Sequence, residues 1–138
     1  MKTMTKIVIS LFVLVLFLHC FAALLTYVTI RSGMYVEANP TTATLQIAYG
    51  LTGGLVLSLL QGTVLSMVPL MTYIGTLKYA QSNLVPQFEK SDMMRVVKYI
   101  FFPLALIVLI YLAMIAGADV IHDLAMLVSN GHVNLWSF

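Results

Sequence analysis

The sequence is poor in charged residues. Asp, Glu, Lys and Arg together make up 9% of its 138 residues, while 61% are hydrophobic and the mean hydropathy is +0.99. Soluble globular domains carry about 25% charged residues, because their surfaces must face water. The composition therefore excludes a soluble domain and predicts an integral membrane protein, and the length favours a single domain over residues 1–138.

Other absences exclude further classes of protein. The formal net charge of +2 comes with scattered basic residues, which do not form the basic surface of a nucleic-acid-binding protein. Cys20 is the single cysteine, so no disulfide can form within the chain. The sequence also lacks a glycine-rich phosphate loop, a nucleophile elbow and a paired-carboxylate pattern. We therefore expect no catalytic residues, no nucleic-acid partner and, by default, no cofactor held by this chain alone.

Hydrophobic runs, in contrast, are long. An α-helix needs about 20 apolar residues to cross the hydrocarbon core of a bilayer. Lys2 and Lys6 followed by an apolar run resemble a signal peptide, but Phe21-Ala22-Ala23 is a poor cleavage site, so we expect a retained helix. The predicted transmembrane spans are residues 7–30, 54–77 and 97–117, and residues 118–138 are predicted to form an outer extension of the third helix and a tail.

The segment after Asn39 predicts a shorter helix over residues 40–50. Asn39 is suited to cap a helix that has Pro40 at its first position. Its roughly 11 residues reach only about 16 Å, half of the hydrocarbon thickness. We therefore expect an all-α membrane protein with three transmembrane helices and a short interfacial or re-entrant helix. A water-exposed loop is predicted between Lys78 and Lys98, where the chain turns polar.

Basic residues indicate the orientation. In a three-span topology Arg31 lies alone on one side, and the positive-inside rule assigns the other side to the cytoplasm. The remaining basic residues share that side: Lys2, Lys6, Lys78, Lys90, Arg95 and Lys98. The amino terminus is therefore predicted to be cytoplasmic and the carboxyl terminus to lie outside the cell membrane. A four-span topology would place most of the positive charge outside and would need two crossings from about 36 residues, so we reject it.

Small residues mark the surfaces through which the helices are expected to pack. Gly and Ser recur at every fourth position of the second span, and a shorter pattern occurs in the third. Small side chains let two helices approach closely in a membrane, where no water drives their association. The expected packing positions are Gly54, Ser58, Gly62, Ser66, Ala113 and Gly117.

Polar side chains within the spans need partners away from water. His19 lies near the middle of the first span and Gln61 lies in the second. We expect both side chains to be buried and bonded to a neighbouring helix, because an unpaired polar group in hydrocarbon is unfavourable. For His19 the alternatives are haem ligation, together with a histidine of another chain, and a proton relay. For Gln61 a pore-lining or substrate-binding role remains open.

Asp119, His122 and Asp123 form a polar group just after the third span. Within one helical turn, Asp119 and His122 can present two metal ligands on one face. We expect instead that this helix end meets water, where such residues are ordinary. A metal site would need a further ligand from His132, from Glu37 or from a partner chain.

One motif carries a family resemblance. Thr26, Gly33 and the run Glu37-Ala38-Asn39-Pro40 follow a first span and precede a short helix and two further spans. Over residues 15–115 the chain resembles a family of small, mainly archaeal membrane proteins of uncharacterised function. The family pattern has an aspartate four residues before the threonine and often a lysine in the second span, where this chain has Ala22 and Ser58 or Gln61. Both members of a buried ion pair are thus absent together, and the resemblance implies three spans but no activity.

Three functions are compatible with these features. We favour an accessory, non-catalytic structural subunit of a larger multi-subunit membrane complex, of the respiratory or monooxygenase type. Its partners would be the lipid bilayer and other membrane subunits, because three spans form little core of their own. The alternatives are a homo-oligomeric channel or carrier built around the second span, and a membrane enzyme that uses Asp119, His122 and Asp123.

Overall fold

The computed structural model describes residues 1–33 and 40–129. Three helical stretches in these ranges are long and apolar enough to cross a membrane, namely Lys2–Arg31, Thr41–Gln81 and Lys90–Val128. The predicted all-helical architecture with three long apolar helices is thereby confirmed. Glu37, His132 and the predicted tail lie outside the described residues. In chain order the elements are α1 (Lys2–Arg31), α2 (Pro40–Gln81), α3 (Lys90–Val96), a π-helical segment (Val97–Phe101) and α4 (Phe102–Val128).

Each long helix contributes residues to both of two compact units. Unit 1 contains Met1–Val15 and Val64–Ala113, and unit 2 contains Leu16–Thr63 and Met114–Phe138. The core of unit 1 is apolar, and in it the ring of Tyr73 is tilted against that of Phe102. The buried residues of this core are Val8, Val15, Leu70, Tyr73, Leu77, Ala80, Val97, Ala105 and Leu109.

Gly50 divides α2 into two arms. Its backbone has φ 76° and ψ 169°, the one departure from helical geometry inside α2. This region of dihedral space is essentially restricted to glycine, because a side chain there would collide with the backbone. We call residues 40–49 the short arm and residues 51–81 the long arm.

The short arm folds back along the long arm. A Cβ placed on Gly54 would lie 2.5 Å from the backbone nitrogen of Gln46, so the arms touch at positions four residues before and after Gly50. At eight residues before and after it, the hydroxyls of Thr42 and Ser58 share a hydrogen bond of 3.1 Å. Contacts at equal distances from Gly50 define an antiparallel helical hairpin with Gly50 at its tip.

Within unit 2, α1 runs antiparallel to the long arm. Gly62 lies against the imidazole of His19, whose Nε2 would be 2.5 Å from a Cβ on residue 62. Nearer the hairpin tip, the two helices enclose a shallow apolar cleft. Its lining residues are Ala23, Leu24 and Tyr27 of α1 and Thr52, Leu55, Val56 and Leu59 of the long arm. Residue numbers therefore rise along α1 as they fall along the long arm.

The third long helical stretch begins earlier than predicted. α3 starts at Lys90, with Asp92 in its first turn, which suits the helix dipole, and with Arg95 three residues later. These two side chains form an exposed ion pair at 3.4 Å. The predicted loop from Lys78 to Lys98 is therefore wrong in extent, since the non-helical residues are 82–89. Polar composition misled the prediction because an exposed helical turn and a loop contain the same residue types.

A π-helical segment joins α3 to α4. The N–H of Phe102 bonds to the carbonyl of Val97, five residues earlier. Pro103 follows and has no N–H to offer the carbonyl four residues before it. Local widening of the helix accommodates this missing donor, so the helical stretch continues past the proline.

Candidate functional site

Unit 2 carries most of the buried polar side chains in the described part of the chain. Thr26, Thr29, His122 and Asp123 are each at most 8% exposed, although their neighbours are largely apolar. A polar group withdrawn from water needs a hydrogen-bond partner, because burial without one is unfavourable. We call these four residues the α1–α4 cluster, and they form the candidate site.

The centre of the α1–α4 cluster is a short hydrogen bond between two helices. The hydroxyl of Thr26 donates to Oδ2 of Asp123 at 2.6 Å. Nδ1 of His122 lies 3.4 Å from the other carboxyl oxygen, Oδ1. A buried side chain that loses its hydrogen-bond partner is left unsatisfied, which is unfavourable. The Thr26–Asp123 bond is therefore suited to hold α1 and α4 in a fixed register.

Helical periodicity brings these polar residues into the interior. On α1, buried positions follow the i, i+3, i+4, i+7 spacing of one helix face. On α4, buried positions recur at intervals of four and three residues. The buried face of α1 comprises Ala22, Leu25, Thr26 and Thr29, and that of α4 includes Ala116, Val120 and Asp123. Thr26 and Asp123 thus occupy positions that would otherwise hold apolar residues.

Thr29 has a different role from Thr26. Its hydroxyl donates to the carbonyl oxygens of Leu25 and Thr26, each at 3.0 Å, within its own helix. Such bonds back to the preceding turn satisfy a buried threonine without a partner on another helix. Thr26 therefore makes the interhelical bond, while Thr29 is satisfied locally.

The expectation that the helix end with Asp119, His122 and Asp123 meets water is wrong for His122 and Asp123. His122 is 2% exposed and Asp123 is 3% exposed, while Asp119 is partly buried. α4 continues to Val128, and the buried residues Val120 and Met126 maintain its apolar face beyond Asp119. No clear signal of this packing is present in the sequence, because apolar residues occupy every side of α4 beyond Asp119.

A metal site at the α1–α4 cluster would need more ligands than the described residues supply. Within residues 1–33 and 40–129, no group of three or more His, Cys, Asp or Glu side chains is placed to hold a metal ion. The further ligands considered from the sequence, Glu37 and His132, lie outside the described residues. The chemistry that is present is interhelical hydrogen bonding.

The small residues of the second span are occupied from within the chain. Gly54 packs against the backbone of Gln46, and Gly62 packs against the ring of His19. Ser58 bonds to Thr42, and Ser66 is 0% exposed. The partners of the first three positions are therefore the short arm and α1.

Small residues on α4 have free space beside them. A Cβ on Gly117 would meet no atom of the described residues within 4 Å, and Ala113 is partly buried. Met114 and Ile121, near Gly117 on the helix surface, are 69% and 63% exposed. This side of α4 is therefore exposed in the part of the chain that the structure describes.

The two polar residues that we predicted to be buried in the spans differ in their exposure to solvent. His19 is partly buried against Gly62, whereas Gln61 is exposed. Within a single chain, therefore, the described residues do not bury Gln61. Its position next to Gly62 places it about 100° around the helix from that buried glycine. The polarity of Gln61 does not indicate on which side of the helix its side chain lies.

Thr26 and Thr42 were not predicted as interhelical donors or acceptors. Thr26 belongs to the motif that carries the family resemblance, but its partner Asp123 is 97 residues away. No local pattern reports a pairing over that distance. For Thr42, the equal spacing of Thr42 and Ser58 about Gly50 was the available signal.

Comparison with known proteins finds no family model, curated protein or solved structure that matches the chain. Its function must therefore be argued from the contacts and exposures described above.

Proposed function

We propose that the chain is an accessory structural subunit of a larger multi-subunit membrane complex. The observation that carries this proposal is the small share of its helices that the chain buries by itself. In the most apolar 18 residues of Lys2–Arg31, Thr41–Gln81 and Lys90–Val128, 17%, 28% and 17% are buried. The remaining apolar side chains need lipid or other helices as neighbours.

The buried polar groups support a structural role. Thr26 bonds α1 to α4 through Asp123, and Thr42 bonds the short arm to the long arm through Ser58. Among the described residues, no buried side-chain nitrogen or oxygen atom lacks a hydrogen-bond partner. These groups therefore contribute to holding helices together, which is how polar residues commonly act between membrane helices.

The distribution of charge supports insertion with the amino terminus in the cytoplasm. Of the seven basic residues, Arg31 belongs to unit 2 and all the others belong to unit 1. A separation of this kind is typical of membrane proteins, whose cytoplasmic ends are rich in Lys and Arg. Asp119 and Asp123 belong with Arg31 in unit 2.

The short arm is proposed to be re-entrant and not interfacial. Ser58, which bonds Thr42 near the start of the short arm, lies one turn before Gly62. Gly62 in turn touches His19, about 18 Å from the Arg31 end of α1 at 1.5 Å per residue. The short arm thus begins level with the interior of α1 and ends at the hairpin tip.

A docking position for another subunit is proposed on α4 at Gly117. Leucine at this position has room among the described residues, since a Cβ meets none of their atoms within 4 Å, but it would block a neighbouring helix. We expect the Gly117→Leu variant to be made and folded normally and to lose co-purifying membrane proteins. The measurement is native purification in mild detergent with mass spectrometry of every co-migrating protein, which also identifies the type of complex.

The matched control for Gly117→Leu is Ile115→Phe. Residue 115 lies about 160° around α4 from residue 117, and its side chain is 44% exposed. This variant adds bulk at nearly the same depth and should keep its partners. A wild-type chain that migrates without any other protein would contradict the proposed function.

A homo-oligomeric channel or carrier is the second candidate, and the hairpin is the observation that favours it. Helices that begin within the membrane commonly line the binding sites of transporters, where their first turns face the substrate. The short arm begins in this way, beside Ser58 and near His19. The same purification separates the two candidates, because a channel of this kind would migrate as copies of this chain alone.

A further inference from the structure

Within residues 53–77 of the long arm, Gln61 is the one large polar side chain that is exposed. Its neighbours on the same helix face, Leu57, Leu60 and Val64, are 36%, 55% and 60% exposed and all apolar. The Gln61 amide makes no hydrogen bond or ion pair with any residue in the described ranges 1–33 and 40–129. Gln61 lies about 16 Å along the helix from Gly50, near the middle of a membrane span.

An amide in this position needs a partner other than the described residues of its own chain. Water is absent from the hydrocarbon core, and an unpaired amide there is strongly unfavourable. This step rests on the proposed membrane insertion, but it does not depend on whether the chain is an accessory subunit or a channel. The partner must present a hydrogen-bonding group at the depth of Gln61.

We propose that a second copy of this chain covers this face of the long arm, with the two Gln61 amides hydrogen-bonded across a two-fold axis. A side-chain amide contains both a donor and an acceptor, so two identical amides complement each other. Copies inserted with the same orientation bring Gln61 to the same depth by symmetry. Gln61 is uncharged and its neighbours are apolar, so no like charges oppose the pairing.

An unrelated partner meets these requirements less simply. It would have to carry its own polar side chain at the matching depth and on the matching face. A second copy has a polar side chain at this depth and on this face by symmetry. The surface used is also distinct from the small-residue positions Gly54, Ser58 and Gly62, which are already occupied within the chain.

Disulfide cross-linking of adjacent positions tests the geometry. Leu57 lies one turn before Gln61 and about 40° around the helix from it, whereas Val56 lies about 140° away at nearly the same depth. In a Cys20→Ala background, the Leu57→Cys variant should form cross-linked dimers in native membranes. The Val56→Cys variant, whose side chain is 51% exposed in the wild type, should form few. Equal cross-linking at both positions, or none at either, would overturn the proposal.

The hydrogen bond itself is tested by Gln61→Leu. Because Gln61 is exposed, this change leaves the interior of the chain untouched, and the thermal stability of the purified chain should be unchanged. Association measured by energy transfer between labelled copies in liposomes should weaken by about threefold to thirtyfold, the range expected for bonds between membrane helices. The Gln61→Asn variant, which keeps an amide, should retain part of the association.

Unchanged association of Gln61→Leu would overturn the proposed amide pairing. The result is separable from that of the Gly117 experiment. Loss of other subunits with Gly117→Leu, while cross-linking at residue 57 persists, would support both conclusions. Absence of co-purifying subunits together with strong cross-linking would contradict the accessory role and leave the dimer intact.

Discussion

At the scale of single residues, two buried threonines on one helix face have different partners. The hydroxyl of Thr26 reaches Asp123 on α4, while that of Thr29 returns to carbonyl oxygens of α1. The two side chains are one turn apart, and both are buried. They therefore allow a matched comparison of an interhelical hydrogen bond with a local one.

We expect Thr26→Val to destabilise the chain by about 1–3 kcal/mol, because the buried carboxyl of Asp123 loses its donor. Thr29→Val removes a bond to carbonyl groups that remain within the helix, so its effect should be clearly smaller. Thermal unfolding of both variants in the same detergent measures the difference. Equal loss of stability would show that the Thr26–Asp123 bond stabilises the chain no more than the local bonds of Thr29 do.

The exposure of individual residues was the part of the site that the sequence predicted least well. Gln61 and Asp123 are polar residues of similar context in apolar helices, yet Gln61 is exposed and Asp123 is 3% exposed. Their direction depends on which face of each helix meets a neighbour. With apolar residues on every side of these helices, amphipathicity does not identify that face.

At the scale of elements, Gly50 determines the shape of α2. The long apolar run predicted a helix, and glycine near residue 50 predicted its interruption. The sequence did not predict that the short arm returns along the long arm, because helix-breaking residues specify a turn but not its angle. That angle follows from the dihedral angles at Gly50 and from close approach at Gly54.

We expect Gly50→Ala to weaken the hairpin by about 1–3 kcal/mol, although a Cβ there meets no atom within 4 Å. The cause is backbone strain at φ 76°. Gly75→Ala is the control, since Gly75 is helical with equally open space, and alanine there should be neutral or stabilising by up to about 1 kcal/mol.

The effect on the hairpin is measured by cross-linking its arms. In the Cys20→Ala background, Thr42→Cys and Ser58→Cys together should form a disulfide readily, because the wild-type hydroxyls are 3.1 Å apart. Adding Gly50→Ala should slow this reaction, and adding Gly75→Ala should not. If Gly50→Ala leaves the cross-linking rate unchanged, the positive φ does not determine the hairpin.

At the scale of the whole molecule, the long hydrophobic runs were sufficient to predict three long apolar helices. Which faces of these helices contact one another was harder to predict. The Thr26–Asp123 bond joins residues at sequence positions far apart, and no comparison with related proteins restricts which faces meet. The uneven distribution of basic residues could be predicted from the sequence, and Arg31 is the one basic residue that belongs to unit 2.

In the proposed topology, the chain crosses a membrane three times with its amino terminus in the cytoplasm. Labelling of single cysteines by a membrane-impermeant thiol reagent, in intact cells and in a Cys20→Ala background, tests it most directly. Thr3, Ser32 and Asn83 are exposed and suit this purpose as Thr3→Cys, Ser32→Cys and Asn83→Cys. We expect labelling from outside at residue 32 alone, with residues 3 and 83 labelled after the membrane is opened. Labelling of residues 32 and 83 from the same side would contradict the three-span account.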